Sequence, residues 1–425
     1  MATENAGHDR ITERDTDILR RLAQRKAVIA QDPANQERRR AWYCLDSGND
    51  DRVMILAEHG GVRDRIKPVP DDILECTGDW ARGIENGLRN DIYRFEKLKD
   101  DHVVEPFMDV RWKTTFSNYG VEAVTHYGGD DNYMGSRSWD PPIKDLDGDF
   151  GKLHFRTFTV DREATLKEKD HLEKILGSIL PVRIRGGHYW TMGMTGTAIQ
   201  LIGLQQMMLA MYDNPHALHH LMKFLRDDHV NLINWLENEN LYTLNNENDY
   251  IGSGSEGYTR GLPQADWNAG MPVRKQDQWV LSESQETVGV GPEQFEEFIF
   301  PYQKEIVEQF GKSYYGCCEP VHNRWHILKR INNLARVSVS PWADQEFMAE
   351  SLGTKYVYSR KPNPTLVSTG VFNEQAIRQD IRNTLEIAGK CRIEIIMKDV
   401  HTLQNEPDRL PRWVEIAREE TGNAG

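Results

Sequence analysis

The chain has 425 residues, with 52 Lys plus Arg against 66 Asp plus Glu, a formal charge of −14 that argues against a phosphate-backbone binder. A hydrophobic fraction of 39% with 11 Trp, 15 Tyr and 13 Phe supplies a sizeable core and excludes a disordered chain. No run approaches the ~18 apolar residues of a membrane helix and the N-terminus is polar, so no membrane contact and a cytoplasmic location are expected. Five cysteines, Cys44, Cys76, Cys317, Cys318 and Cys391, are too scattered for a disulfide framework, which leaves the adjacent pair as a question of chemistry.

In chain order, residues 1–100 read as a helical extension. Residues 12–29 carry Ile18, Leu19, Leu22 and Val28 at helical spacing, and 71–98 carry Ile73, Leu74, Trp80, Ile84, Leu88, Ile92 and Phe95. Between them, 52–56 is a short strand candidate, broken off by Pro68 and Pro70. From about residue 102, short apolar runs alternate with helix-length amphipathic segments, the pattern of βα units. Seven strands are expected at 102–110, 180–187, 241–246, 278–284, 312–318, 335–342 and 392–400, with another at 121–128 or 153–160. Helices are expected at 195–212, 216–238, 292–310 and 373–389. The expected fold is therefore one α/β (β/α)₈ TIM barrel over 101–425, with residues 1–100 packed on it.

In such a barrel the functional groups stand at the C-terminal ends of the strands. There the sequence offers Asp109, Arg111 and Trp112, then His188 and Trp190, Asn245 and Glu247, and Glu283. Further on come Cys317, Cys318, Glu319 and His322, then Trp342, and finally Asp399 and His401. Thiol, carboxylate and imidazole are what a borderline-soft ion such as zinc accepts, so Cys317 or Cys318, with Glu319 and His401, are the expected ligands. Strand alternation would put Cys317 and Glu319 on one face and Cys318 on the other. Asp399 and His401 would likewise share a face. Cys391 precedes the last apolar run and reads as structural, and Met192, Met194, Met207, Met208 and Met211 read as core. The stretch 252–257, Gly-Ser-Gly-Ser-Glu-Gly, lacks the GK[ST] of a phosphate loop and reads as a flexible active-site loop.

Three features together resemble the uroporphyrinogen decarboxylase superfamily over about residues 70–420. They are the order of strand ends, the helix start Gly291-Pro292-Glu293-Gln294-Phe295 with Pro301-Tyr302, and the closing strand and helix over 399–420. The arginine-rich tetrapyrrole motif of the decarboxylase is missing, and Asp109-Val110-Arg111-Trp112 stands in its region. The chain looks more like the zinc-dependent, corrinoid-linked methyltransferase branch, with Cys317-x-Glu319 or Gly316-x-Cys318 in place of the family's His-x-Cys, and Asp399 or His401 in place of its last Cys. The resemblance implies methyl transfer from a small methylated substrate, O- or N-demethylating, to or from a corrinoid supplied by a partner protein, with zinc or another divalent metal bound. A homodimer is left open, and nucleic acid is not an expected partner.

In that reading Glu247, Glu283 and Asp399 are catalytic. One of Glu247 and Glu283 orients the substrate, the other supports the metal or gives a proton to the leaving alkoxide, and a nearby cation would favour their ionised forms. Asp109, Arg111, Trp112, His188, Trp190, Asn245 and Trp342 bind substrate, with Trp112, Trp190, Trp279 and Trp342 forming an aromatic surround. The alternative is a metal-free carboxy-lyase in which Arg111, Arg137 and Arg185 recognise an acidic substrate.

Overall fold

A computed structural model of the chain describes residues 11–49, 52–128, 137–187 and 191–422. It is a mixed α/β protein built on parallel strands: β1 Met54–Ala57, β2 Met108–Arg111, β3 Val182–Arg185, β4 Trp279–Ser282, β5 Lys312–Tyr315, β6 Leu334–Val339, β7 Val357–Arg360 and β8 Arg392–Met397. Six of them form one sheet in the order β1-β8-β7-β6-β5-β4, every neighbouring pair parallel. The other two, β2 and β3, pair in parallel as a separate sheet. Helices follow the strands because parallel neighbours need crossovers, and both faces of the large sheet are covered.

The residues expected as a strand at 241–246 form no ladder. They bridge the two sheets instead. Thr243 Oγ1 accepts from the Gly186 amide just after β3 (3.1 Å), and Asn245 exchanges hydrogen bonds with the Trp279 amide and carbonyl at the start of β4 (2.8 and 3.1 Å). On the other side of the large sheet, the Asp101 amide donates to Ile55 of β1 and its carboxylate accepts back from Ile55 (both 2.7 Å).

Three sequence expectations need correction. The strand candidate at 52–56 is β1, but it lies in the main sheet beside β8, with Met54 opposite Glu394, so residues 1–100 are not a helical extension packed on the barrel. The candidates 121–128 and 153–160 are not βα strands either. Val124–Tyr127 pairs antiparallel with Arg137–Asp140, and Phe158–Asp161 pairs antiparallel with Lys113–Phe116, so both belong to small antiparallel sheets in the excursion after β2. The strand β7, absent from the expected set, completes the sheet between β6 and β8.

The N-terminal helix begins where Thr12 and Asp15 exchange side-chain and backbone hydrogen bonds as a capping box, within a residue of the expected start. The helix expected at 195–212 is split at Gly203, and that at 292–310 at Ile299. The Met cluster is core: Met192, Met194, Met207 and Met211 are buried in the main hydrophobic cluster, with Met208 packed against it. Among the described residues no helix is long and apolar enough to cross a membrane.

The segment 252–257, expected to be a flexible active-site loop, is buried almost throughout and lies against the large sheet. A short hairpin, Tyr250–Gly252 with Ser255–Glu256, carries it. Gly254 has φ +90°, and a Cβ there would stand 2.7 Å from Ile396 of β8 and 2.9 Å from Glu58, so both backbone shape and close approach require glycine.

Candidate active site

The hairpin turns the middle of the sheet polar. The Arg336 guanidinium on β6 donates to Ser255 Oγ (2.6 Å) and to the Glu256 carbonyl (2.8 Å), and pairs with the fully buried Glu394 of β8 (3.3 Å). Glu394 also accepts from Ser255 and from Ser359 of β7, and Ser359 in turn accepts from Tyr314 of β5 (2.8 Å) and from the Lys361 ammonium (2.5 Å). Every charge in this layer has a bonded partner.

The arrangement changes at the C-terminal strand ends. The chain leaves β5 through Gly316, whose φ of +97° breaks the strand, and a Cβ at that position would meet the Ser338 side chain at 3.1 Å. Alternation therefore stops before the cysteines. Cys317 and Cys318 lie side by side, Sγ to Sγ 3.6 Å, rather than on opposite faces. The Lys398 ammonium, just beyond β8, lies 3.6 Å from Cys317 Sγ and 3.4 Å from Ser253 Oγ. The Cys318 S–H also faces Asp399 Oδ2 at 3.3 Å.

The hydrogen bond from Cys318, and then the Lys398 charge, bring the Cys317 thiol down to about 7 despite burial, so much of it is thiolate at neutral pH. Cys318 is pushed strongly up by that same bond. Burial alone would lower Lys398, but the Cys317 thiolate and other nearby anionic groups hold it protonated. Lys361 also feels Glu394, Cys317 and Glu58, but burial outweighs them and brings it down to about 7.

On the β4 side, Glu283 is 2% exposed. Burial, then the neighbouring Glu319 and Glu286, raise it to about 9, so it is protonated at neutral pH, against the expectation that a cation would keep it ionised. The Cys317 thiolate contributes to that rise, so the two groups are within electrostatic reach of each other. Burial also raises Glu58, which follows β1, and Tyr250, and both feel the Lys398 charge.

The expected metal set is not brought together. Both oxygens of Glu319 are engaged by backbone amides, Ser284 at 2.9 Å and Cys317 at 2.8 Å. His401 is exposed beside Gly61, because Asp399 adopts a left-handed backbone (φ +58°) that ends the alternation linking Asp399 to His401. His322 accepts the Asp344 amide at a helix start (3.1 Å). Among the described residues no three His, Cys, Asp or Glu side chains form a group that could hold a metal ion. The described residues do not fit the zinc that the resemblance implies.

Of the other expected residues, Asp109 pairs with Arg183 (2.6 Å), and Glu247 with the same Arg183 (3.0 Å) rather than with Glu283. Trp112 packs beneath Gly186 and Arg162, Asn245 bridges the sheets, and Trp342 is 66% exposed. Trp279 is buried with its indole N–H on the Gly257 carbonyl, so Trp112, Trp279 and Trp342 do not surround one point among the described residues. His188 and Trp190 lie outside the described residues. A cavity of about 230 Å³ beside Tyr250 is lined by Asp109, Arg111, Arg185, Asn245 and Asn248.

Sequence reasoning missed Glu58, Tyr250, Lys361 and Lys398, and placed Ser253 in an active-site loop without giving it a role. Glu58 and Lys398 each follow an apolar run directly, so the strand-end rule applied there would have found them.

No protein-family model matches this sequence. No curated protein matches it either. The fold is similar to a solved structure described as a methyltransferase from Methanosarcina mazei, with TM-score 0.50 and 12% identity, covering 90% of this chain and 98% of that chain. At that identity the likeness speaks for the α/β fold alone.

Proposed function

We propose that this protein is a methyltransferase built on a (β/α)₈ barrel, with the reaction centred on Cys317. The observation that carries the reading is the Cys317–Lys398 pair at the strand ends, within electrostatic reach of the protonated Glu283. The fold shared with a protein described as a methyltransferase supports it.

In the first step the Cys317 thiolate attacks the methyl carbon of a methoxy or methylammonium compound. The S–C bond forms as the C–O or C–N bond breaks, and the electron pair leaves with the oxygen or nitrogen. An alkoxide leaving group takes its proton from Glu283. In the second step an acceptor nucleophile removes the methyl group, and the pair returns to sulfur, where Lys398 and the Cys318 S–H stabilise the thiolate. A corrinoid on a partner protein, as the resemblance implies, would be that acceptor. The cavity beside Tyr250 would hold the rest of the substrate.

The test is to incubate the protein with methoxylated aromatics and quaternary amines, with and without cob(I)alamin. A methyl adduct on the Cys317 peptide without acceptor, and methylcobalamin absorbance with it, are the expected results. Neither signal across the panel sinks the reading. Arg111 and Arg185 at the cavity favour a second one, a carboxy-lyase acting on an acidic substrate, and release of CO₂ from such compounds without methyl transfer would establish it.

A further inference from the structure

The Cys317–Cys318 pair is a feature that methyl transfer at Cys317 alone does not explain. Adjacent residues in a strand point to opposite faces, yet the left-handed Gly316 and the bend over 317–319 bring the two sulfurs to 3.6 Å. Both thiols are free. Cys317 is buried beside the Lys398 ammonium, whereas Cys318 is half-buried and its partner Asp399 is exposed, so a small solute reaches the pair from the mouth.

We infer that Cys317 and Cys318 form a reversible peroxide-oxidation site, with Cys317 as the reacting sulfur and Cys318 as the resolving one. The Cys317 thiolate attacks one oxygen of hydrogen peroxide, the O–O bond breaks, and hydroxide leaves, giving a sulfenic acid at Cys317. The Cys318 sulfur then attacks that sulfur. Its proton leaves with the departing hydroxyl as water, and an S–S bond closes between the neighbours. Two electrons pass from the thiols to the peroxide.

Adjacent Cα atoms are ~3.8 Å apart across a trans peptide, less than an ordinary disulfide spans, so the bond is strained and readily reduced. That suits a device that switches off and recovers rather than a staple. Cys318 blocks over-oxidation by capturing the sulfenic acid before a second peroxide arrives. The inference does not depend on which group the site transfers, because it is read from the sulfur chemistry.

The full-length protein is reduced, freed of reductant, exposed to hydrogen peroxide, then alkylated with iodoacetamide, digested and weighed. The peptide carrying both cysteines is expected unalkylated and two hydrogens lighter, and dithiothreitol should restore double alkylation. In Cys318→Ser, dimedone should label Cys317, and prolonged peroxide should convert it to sulfinic acid that dithiothreitol does not reverse. Lys398→Met should slow the first step several-fold at neutral pH. Double alkylation of the wild-type peptide after peroxide, or direct passage to sulfinic acid with Cys318 intact, would overturn the inference. Disulfide formation with no methyl transfer anywhere in the panel would retain it while removing the methyltransferase reading.

Discussion

The middle of the strands and their C-terminal ends use the same kinds of groups to opposite ends. Midway, Arg336 and Glu394 are fully buried, paired with each other and further bonded to Ser255 and Ser359. A few residues further on, Cys317, Lys361 and Glu283 are equally buried but sit far from their ordinary protonation states. Burial is common to both layers, so burial does not distinguish structure from chemistry. The neighbouring charges do. Arg336 and Glu394 face opposite charge, which offsets desolvation, whereas Glu283 faces like charge and keeps its proton, and Cys317 gives its proton up beside Lys398.

The largest expected effect breaks the middle layer. Arg336→Met leaves Glu394 buried without its cation and should cost ~3–5 kcal/mol of stability, measured by chemical denaturation. Arg336→Met with Glu394→Leu should recover much of that. A single variant as stable as wild type would show that the pairing carries no weight.

At the mouth the order reverses, with large losses of rate and small changes in stability. Cys317→Ser should lower methyl transfer on the order of 10³-fold with an unchanged melting curve. Retention of more than about a tenth of the activity would remove Cys317 as nucleophile.

Glu283→Gln sharpens the contrast further. It should cost about 10²-fold in rate with an alkoxide leaving group. The wild-type kcat/KM should rise through about 7 as Cys317 ionises and fall through about 9 as Glu283 loses its proton. The variant should lose the alkaline limb. Stability carries the opposite sign. The folded state keeps a proton on Glu283 that the unfolded chain gives up near 4.5, so wild-type stability declines as pH rises from about 4.5 to about 9. Glu283→Gln should flatten that decline, seen as melting temperature against pH.

Smaller still, Lys398→Met should move the acid limb upward from about 7 and cut the neutral-pH rate roughly tenfold. Trp342→Ala is the control. At 66% exposure it should change stability by less than ~0.5 kcal/mol and leave the rate unaltered.

How much of this could be read from the sequence follows from range and backbone. Strands β2 to β6 and β8 announce themselves as apolar runs before polar residues, which put Cys317, Cys318, Glu283 and Asp399 among the candidates. Strand β1 is four residues long, and its partner β8 lies near the other end of the chain, so no local pattern links them. In β7 the buried residues include Ser359 and Arg360, which make the run look amphipathic and hide Lys361 behind it. The ligand expectations failed for a narrower reason. Each assumed alternation past a strand end, and a single left-handed residue, Gly316 in one case and Asp399 in the other, turned the chain first.

The pairing of β1 with β8 also has a bearing on biosynthesis. Glu58 follows the first strand and Lys398 the last, and the ammonium that holds Cys317 ionised belongs to the later one. Until residue 398 has been made and has left the ribosome, the cysteines are without their cation, and β1 waits with an open edge. A nascent chain therefore carries Cys317 as an ordinary, unreactive thiol. Its reactivity arrives only when the final strand slides in beside the first, so that completion of the sheet and arming of the sulfur are one event.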